Sequence, residues 1–209
     1  MKKLLILLAF VTTSAFSQNT IVIRHTNYTS IFDTVRHYPV EVHYWLTKAN
    51  EQCKHLPRKN EFKPDPLFPQ ITNLEKYYSG SPYDRGHNDA AEDNECQGAK
   101  VEQESFYFSN MTPQWPGLNR GSWKELEGIA RGLAVKYDSV EIWCGSVGVA
   151  AKIGIVSVPV QMWKIIYIPA TGKTEAFLFQ NLKNDNPNKP NGKSVTVKEI
   201  ENITHLHLK

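Results

Sequence analysis

Hydrophobic and polar residues alternate from residue 38 to residue 46. Alternation with a period of two is the pattern of a half-buried β-strand. Shorter runs of β-branched and aromatic residues at 106–108, 140–144, 163–168 and 177–179 predict further strands. We expect these strands to pair mainly in the antiparallel sense.

The stretch that follows Pro116 and Gly117 has a different period. Apolar side chains recur there every third or fourth residue, at Trp123, Leu126, Ala130, Leu133 and Tyr137. This spacing places them on one helix face and predicts an amphipathic helix over residues 120–137. Thr196, followed three residues later by Glu199, is a capping box that predicts a short terminal helix. The expected fold class is α+β, with a mixed, mainly antiparallel sheet and one central helix.

Residues 54–83 are rich in Pro, Lys, Asn and Tyr and show no hydrophobic period. They are expected to form a long ordered loop. Loops of this length within a compact domain are usually functional. The segment is therefore a candidate for part of a binding site.

The first residues have the pattern of a secretory signal. Lys2 and Lys3 precede an apolar run over residues 4–11, and small residues follow up to Ser17. The apolar run is too short to span a bilayer, although a retained anchor stays an alternative. We expect residues 1–17 to be removed as a signal peptide. Residues 18–209 would then form a single domain, secreted or periplasmic, without a membrane segment.

The charge of the chain is nearly balanced. The 209 residues include 24 basic and 21 acidic side chains, a formal net charge of +3 at pH 7. Loss of Lys2 and Lys3 with the leader would leave 22 basic residues against 21 acidic ones. Global charge therefore indicates no particular partner, and a polyanionic substrate would have to be attracted by a local basic patch.

The three cysteines are Cys53, Cys96 and Cys144. Export makes a disulfide permissible. Cys53 and Cys96 lie in polar surroundings and are the favoured pair, although spacing alone does not fix the pairing. Cys144 lies in an apolar run and is expected to be a buried thiol. No cluster of Cys and His has the spacing of zinc ligands.

The sharpest chemical signal is the tetrapeptide from Asp84 to His87. His87 can accept a proton from water near neutral pH. Arg85 can bind two phosphate oxygens at once, and Gly86 allows the backbone to bend or to approach a substrate. The alternative interpretation is a surface turn with an ion pair between Asp84 and Arg85, which would contribute little.

Two further blocks follow the tetrapeptide, at residues 105–114 and 118–127. Together with the tetrapeptide at this spacing, they resemble the DNA/RNA non-specific endonuclease family of the ββα-metal nucleases. Weaker likeness extends over nearly all of the chain beyond the leader. The resemblance implies a ββα-metal motif and a magnesium-dependent endonuclease of DNA and RNA, with Mn²⁺ as an acceptable substitute. It also implies cleavage without sequence specificity and 5′-phosphorylated products.

The resemblance also implies roles for individual residues. His87 would be the general base that activates water, and Asn119 would be the side-chain ligand of a single magnesium ion. Glu127 would orient a water of the ion's hydration shell without touching the ion. Arg58 and Arg85 would stabilise the charge that develops on the phosphate, and Asn110 would help to order the site.

Physical reasoning is consistent with this set of residues. Magnesium keeps several waters and commonly takes only one or two protein ligands, so one amide oxygen with phosphate is an acceptable site. The proposed contacts reach phosphate, metal or water rather than base edges, so they carry no sequence preference. The chain departs from the family pattern after His87, where residues 88–93 contain three acids. A solvated acidic loop is the expectation for that segment, against weakened DNA binding or added metal capacity.

Other classes of function stay open at this point. The main alternative is a catalytically silent nucleic-acid-binding or adhesion module on the same fold, which would bind without turnover. A metal-dependent phosphodiesterase for small substrates is a third possibility, and a closed pocket would favour it. The oligomeric state cannot be predicted from the sequence.

Overall fold

The structure is a computed structural model that describes residues 19–53, 58–183 and 191–208. The expected signal peptide, residues 1–17, lies outside the described residues. The strands are β1 (Thr20–Arg24), β2 (Tyr28–Asp33), β3 (Tyr38–Thr47), β4 (Asp84–His87), β5 (Met111–Gln114), β6 (Ser139–Val147), β7 (Ala151–Ile153), β8 (Val156–Val158), β9 (Gln161–Ile168), β10 (Lys173–Gln180) and β11 (Lys193–Val195). The α-helices are α1 (Lys48–Glu51), α2 (Pro69–Thr72), α3 (Glu75–Tyr78), α4 (Ala99–Ser105), α5 (Pro116–Arg120), α6 (Ser122–Tyr137) and α7 (Val197–Thr204).

One large antiparallel sheet organises the chain. Its seven strands lie in the order β1-β2-β3-β6-β9-β10-β11, and every neighbouring pair is antiparallel. The pair β4 and β5 forms a separate two-stranded hairpin, and so does the pair β7 and β8. The expected α+β fold with a mainly antiparallel sheet is confirmed.

Helix α6 covers one face of the large sheet. Val42, Tyr44 and Leu46 of β3 are buried on that face, as the alternation in this strand predicted. They pack in one cluster with Trp123 and Leu126 of α6. Each aliphatic side chain buried in this way contributes about 1.5 to 3 kcal/mol to folding. Ile200 of α7 packs in a second cluster on the opposite face.

The structure corrects two predicted elements. No strand spans residues 106–108; a 3-10 turn covers Phe108–Asn110 and the strand β5 follows it. Pro113 lies inside β5, where a two-stranded hairpin can accept a residue without an N–H. The helix predicted over 120–137 is confirmed over Ser122–Tyr137 as α6, but it begins after Gly121, and the residues before Gly121 form the separate helix α5. Asn119 and Glu127 therefore do not share one continuous helix.

Several local predictions can be compared directly with the structure. Cys53 and Cys96 form a disulfide, and Cys144 is a buried free thiol, as expected. The capping box at Thr196 is confirmed, since its hydroxyl accepts from the Glu199 N–H at 3.1 Å. The long segment from residue 54 contains the short helices α2 and α3, and residues 54–57 lie outside the described part of the chain.

The expectation of a solvated acidic loop over residues 88–93 is wrong. Asp89 is 0% exposed and Asp93 is 1% exposed. Amide groups and one arginine of the surrounding elements bind these carboxylates, which a loop in water would not require. No helix in the described ranges is long and apolar enough to cross a membrane.

Candidate active site

The tetrapeptide from Asp84 to His87 forms the strand β4. It pairs with β5 in a hairpin that aligns Asp84 with Gln114 and His87 with Met111. A Cβ atom at Gly86 would lie 2.4 Å from the side chain of Gln114. Because Gln114 is itself fully buried, glycine is required here for close packing within the hairpin. The hairpin leads directly into α5 and α6, which gives the ββα arrangement.

His87 lies at the end of β4 in an aromatic environment. Its ring centroid is 5.1 Å from that of Phe106 and 5.6 Å from that of Phe62. The side chain is 8% exposed, and its Nε2 atom has no hydrogen-bond partner among the described residues. Burial, assisted by the nearby charge of Arg58, lowers the pKa of His87 to about 3. The imidazole is therefore neutral near pH 7 and can accept a proton.

Asn119 is held by the other end of the same strand. Its Nδ2 atom donates to Asp84 Oδ2 at 2.9 Å. Arg120 donates two hydrogen bonds to the same carboxylate, at 2.8 and 2.7 Å. A carboxylate only accepts hydrogen bonds, so the amide nitrogen must face Asp84. The Oδ1 atom of Asn119 is then left for another partner.

Strand β4 thus connects the two predicted ends of the site. Asp84 and His87 are three residues apart, which corresponds to about 10 Å along a strand. The segment from α5 to α6 contacts both positions. Asn119 bonds to Asp84, and Trp123 donates from Nε1 to the His87 carbonyl oxygen at 3.1 Å. This double contact fixes the helical segment against the strand.

Two arginines lie on the aromatic pair that packs against His87. The Cζ atom of Arg58 is 5.3 Å from the Phe106 ring centroid, and that of Arg85 is 5.1 Å from the Phe62 centroid. The two phenylalanine rings contact each other edge to face at 5.2 Å. The pair therefore gathers both guanidinium groups and the imidazole around one surface.

The alternative of an ion pair between Asp84 and Arg85 is wrong. Asp84 binds Arg120 and Asn119, as described above. Arg85 instead donates two hydrogen bonds to the Glu75 carboxylate of α3, one of them at 2.9 Å. Glu75 holds the guanidinium from one side while the Phe62 ring holds it from another.

Asn110 lies behind the strand end. Its Oδ1 atom accepts from the Asp89 N–H at 2.9 Å, and its Nδ2 atom donates to the carbonyl oxygens of Asp89 and Ser105, both at 2.8 Å. These bonds connect the chain that leaves His87 to the end of α4. That Asn110 helps to order the site stays a prediction, and these three hydrogen bonds are consistent with it.

Glu127 lies on α6 and is partly buried. Burial raises its pKa to about 7, although the charge of Lys164 acts to lower it. Glu127 is therefore an acid that titrates near neutral pH. Gly121 separates its helix from the one that holds Asn119, so the two side chains belong to different elements.

Sequence reasoning missed several residues that build this site. They hold or surround the predicted ones and are Glu75, Phe62, Phe106, Trp123 and Lys164, with Asp84 as the anchor of Asn119. Asp84 was visible in the tetrapeptide but was considered only as a partner of Arg85. Phe62 lies in a segment without a hydrophobic period and Phe106 in a run predicted as a strand, so no pattern in the sequence indicated that the two would be in contact.

The donor set agrees with a single hard cation. Across the described ranges, no group of three or more His, Cys, Asp or Glu side chains is placed to hold a metal. The oriented Oδ1 atom of Asn119 is a neutral hard oxygen, which suits magnesium with most of its hydration shell retained. The residues present therefore fit such an ion with one side-chain ligand.

Comparison with known proteins gives a family. The profile of the DNA/RNA non-specific endonuclease family matches residues 9–209. The chain is 31% identical over 174 residues to a nuclease of Nostoc sp., covering 77% of this chain and 61% of that one. It is 34% identical over 125 residues to Nuclease C1 of Cunninghamella echinulata var. echinulata, covering 53% and 49% of the two chains.

A human protein and a solved structure are also similar. Mitochondrial endonuclease G of Homo sapiens is 36% identical over 91 residues, covering 42% of this chain and 30% of that one. A crystal structure of the EndoG/EndoGI complex superimposes with a TM-score of 0.75 at 28% identity, covering 90% of this chain and 84% of that one. The matches to Nuclease C1, the Nostoc nuclease and endonuclease G each span less than two thirds of the relative's own length.

Proposed function

The chain belongs to the DNA/RNA non-specific endonuclease family, and we propose that it is a secreted, magnesium-dependent endonuclease. It hydrolyses phosphodiester bonds within DNA and RNA without sequence specificity and leaves 5′-phosphorylated products. Its similarity to proteins named as nucleases supports the reaction class. The choice of magnesium and the product ends rest on the family resemblance together with the chemistry of the site.

One observation carries the proposal. A single four-residue strand fixes an amide whose oxygen is free for a hard cation at one end, and a neutral, buried imidazole at the other. The two ends correspond to the groups needed to bind a phosphate and to deprotonate water. A catalytically silent module would have no need to keep His87 neutral by burial.

The imidazole provides the base. Because its pKa is about 3, His87 is unprotonated throughout the neutral range and can accept a proton from the attacking water. The water oxygen bonds to phosphorus while the bond from phosphorus to the 3′ oxygen breaks. The leaving 3′ oxygen takes a proton from solvent, which gives a 3′ hydroxyl and a 5′ phosphate.

The arginines act on the phosphate directly, and Asn119 acts on it through the metal ion. Arg58 and Arg85 are directed by the phenylalanine pair and neutralise the charge that increases on the phosphate oxygens during the reaction. Asn119 would hold the magnesium ion through Oδ1. When bound, the ion supplies Lewis-acid polarisation of the phosphate and stabilises the leaving oxygen. Glu127 orients water next to this assembly.

Lack of sequence specificity follows from the nature of these contacts. Phosphate contacts position a protein on nucleic acid, and contacts to base edges specify sequence. The residues proposed here address phosphate and water. A DNA strand and an RNA strand present the same phosphodiester to them, which supports action on both.

The export of the protein is a separate part of the proposal. It rests on the leader pattern at residues 1–17, while some of the relatives have names that place them in mitochondria. Expression of the full chain, followed by cell fractionation and N-terminal sequencing, tests it. We expect the exported form to begin at Gln18, and an uncleaved chain retained in the cytoplasm would contradict this part alone.

The activity is tested with the purified protein lacking residues 1–17. It is incubated with supercoiled plasmid, with a closed circular single-stranded DNA and with RNA, each in magnesium and in EDTA. We expect nicking of the circular substrates, which distinguishes endonuclease from exonuclease action, and degradation of RNA. End-labelling with and without prior phosphatase treatment identifies 5′ phosphates.

Two controls make this experiment decisive. The His87→Ala variant should lose the activity, which excludes a contaminating nuclease. A random-sequence oligonucleotide pool sequenced after partial digestion should show cleavage at nearly all positions. Absence of magnesium-dependent cleavage of both DNA and RNA by the wild-type protein would overturn the proposal.

A further inference from the structure

Two aromatic side chains lie together where the hairpin of β4 and β5 opens. Tyr83 directly precedes β4 and Trp115 directly follows β5, and their ring centroids are 4.5 Å apart. The rings are tilted by 51° rather than stacked on each other. Both residues are only partly buried. The mechanism above uses neither of them.

The backbone of Trp115 is held on both sides. Its N–H donates to Asn181 Oδ1 at 2.9 Å, and its carbonyl oxygen accepts from the Asn119 N–H at 3.0 Å. Asn181 is 5% exposed and also donates from Nδ2 to the carbonyl oxygens of Pro113 and Pro159, at 3.0 and 3.1 Å. The indole therefore stands on a fixed backbone, so a ligand that stacks on it would have little of the protein to order.

The Tyr83–Trp115 pair lies at the Asn119 end of the proposed active site. Trp115 is the N-cap of α5, and Asn119 follows four residues later, about 6 Å along the helix axis. Tyr83 is the chain neighbour of Asp84, whose carboxylate binds the Asn119 amide. A strand of duplex DNA rises about 3.4 Å per nucleotide. A base on the pair would therefore belong to a nucleotide within about two steps of a phosphate bound at Asn119.

Positive charge lies next to the pair. Nζ of the exposed Lys183 is 5.9 Å from the centroid of the Trp115 ring. Arg120, at the end of α5, has a side chain that is 71% exposed and is paired with Asp84. Proteins that bind single-stranded nucleic acid without sequence preference combine such cations with aromatic side chains on which bases stack. The surroundings of the pair therefore suit a nucleobase whose phosphates lie close by.

The direction of the reaction identifies the nucleotide. In a displacement at phosphorus, the attacking and leaving oxygens lie roughly in line on opposite sides of the phosphorus atom. Under the proposed function, His87 at the far end of β4 takes the proton of the attacking water. The leaving 3′ oxygen then faces the Asp84 end, where the Tyr83–Trp115 pair lies. The base nearest to the pair belongs to the nucleotide whose 3′ oxygen leaves.

We propose that Tyr83 and Trp115 form a base-stacking subsite for the unpaired nucleobase on the 5′ side of the cleaved bond. The inference rests on the proposed function and names its substrate class as single-stranded DNA or RNA. In a duplex, neighbouring base pairs cover both faces of a base, so only a base that leaves the stack can use the subsite. Because every base has a π face, the subsite adds affinity without sequence preference.

The first test measures binding in EDTA, in a His87→Ala background that does not cleave. The probes are a short oligothymidylate and a strand of equal length that has the same phosphates but no bases. Stacking on an aromatic side chain contributes about fivefold or more to affinity. Trp115→Leu should therefore weaken the binding of the oligothymidylate by about fivefold or more and leave the binding of the abasic strand unchanged. An equal loss for both strands would overturn the proposal.

Matched variants separate stacking from a structural role. Trp115→Phe, which keeps an aromatic face, should retain most of the preference for the strand with bases. Tyr83→Leu should reduce that preference, as Trp115→Leu does. Trp45→Leu, at a tryptophan of β3 that is 43% exposed, should leave the binding of both strands unchanged. A loss of preference in Trp45→Leu as large as that in Trp115→Leu would show that the bases stack elsewhere.

Tryptophan fluorescence gives a readout that leaves the subsite unaltered. Of the five tryptophans, Trp123, Trp143 and Trp163 are buried. In a Trp45→Leu background, Trp115 is then the accessible indole. Its emission should be quenched by saturating oligothymidylate in EDTA and much less by the abasic strand. Equal quenching by both strands would overturn the proposal even if Trp115→Leu does not fold.

A cleavage assay in magnesium tests the position of the subsite. The substrate is a DNA strand with one abasic residue. Cleavage of the bond directly 3′ of that residue should fall by about fivefold or more in the wild type, and Trp115→Leu should cut this bond and its neighbours evenly. A gap that persists in Trp115→Leu, or no gap in the wild type, would contradict the assignment.

The two readouts keep the subsite and the proposed function apart. Equal binding of the two strands together with normal cleavage would sink the subsite and leave the nuclease proposal intact. A preference for bases that depends on Trp115, without cleavage of any substrate, would do the reverse.

Discussion

The two ends of strand β4 are built in opposite ways. At the Asp84 end, charges and amides are paired at ordinary hydrogen-bond distances, and Arg120 remains largely exposed. At the His87 end, the imidazole is buried and its Nε2 atom has no partner among the described residues. Lys164 and Asp89, near that end, likewise keep buried polar atoms unpartnered.

This difference separates two tasks. A paired group keeps its geometry, as Asn119 must if its oxygen is to bind a cation. A buried and unpaired group changes its pKa, as His87 and Glu127 do, and perturbed groups of this kind are common in active sites. Under the proposed function, the paired end would hold the cation that binds the phosphate, and the unpaired end would move protons and water at the expense of stability.

The largest effect is expected from removing the base at the unpaired end. His87→Ala and the better volume match His87→Gln should both reduce turnover by about 10² to 10⁴, the usual contribution of a general base. The substrate KM should change little, because Arg58, Arg85 and Asn119 remain. His43→Ala, at a histidine paired with Glu141 elsewhere on the large sheet, is the control. A fall below tenfold in both His87 variants would show that another group is the base.

A smaller effect is expected at the paired end. Asn119→Ala should raise the magnesium concentration needed for half-maximal activity by more than tenfold. Asp84→Asn leaves Asn119 in place but removes its acceptor-only partner, so the amide can turn its nitrogen toward the ion. Changes in such supporting partners typically cost about 10 to 100-fold in metal affinity. Asn202→Ala, at an exposed position on α7, should not alter the magnesium titration.

Sequence patterns predicted residues at both ends of β4, but not the contacts that hold them. The tetrapeptide and Asn119 were identified because local motifs carry them, and β3 and α6 because their periods are long. The strands β1 and β2 were missed, since their runs of apolar residues are short and show no clear period. The α5–α6 break was missed because a single glycine is tolerated inside a helical pattern.

The unpaired end of β4 depends on contacts between residues far apart in the chain. Lys164 meets Trp123 and acts on Glu127 only because β9 and α6 pack together, and Phe62 meets Phe106 only through the course of a loop. Asp89 and Asp93 were expected to be solvated, because a sequence shows charge but not burial. Desolvation, the main cause of the pKa shifts here, is a property of the assembled fold.

The pH profile provides the next prediction. Because burial raises the pKa of Glu127 to about 7 and lowers that of His87 to about 3, the acid side of the profile belongs to Glu127. Activity should fall roughly tenfold per unit below pH 7 in the wild type. The turnover of Glu127→Gln should be lower than that of the wild type and nearly independent of pH between pH 5 and 8. An unchanged acid side in that variant would assign it to another group.

The same substitution tests the stability of the unpaired end. Folding raises the Glu127 pKa above its ordinary value of 4.5, so the folded state binds the proton more tightly than the unfolded state. Stability from this group is lost as pH rises from 4.5 through 7. Glu127→Gln should therefore melt a few degrees higher than the wild type at pH 8, with little difference at pH 4. Glu125→Gln, exposed on the same helix, should show no such pH-dependent gain.

The smallest effect is expected where a positioned charge has two independent restraints. Arg85 is held by Glu75 and by the Phe62 ring, so Glu75→Gln removes only one of them. Partly exposed ion pairs are worth about 1 kcal/mol or less, which corresponds to a loss of about fivefold or less in kcat/KM. Glu175→Gln, which breaks the ion pair with Lys173 on β10, is the matched control. A loss as large as that of Arg85→Ala would mean that Glu75 alone positions the guanidinium, and that the aromatic pair has no part in holding it.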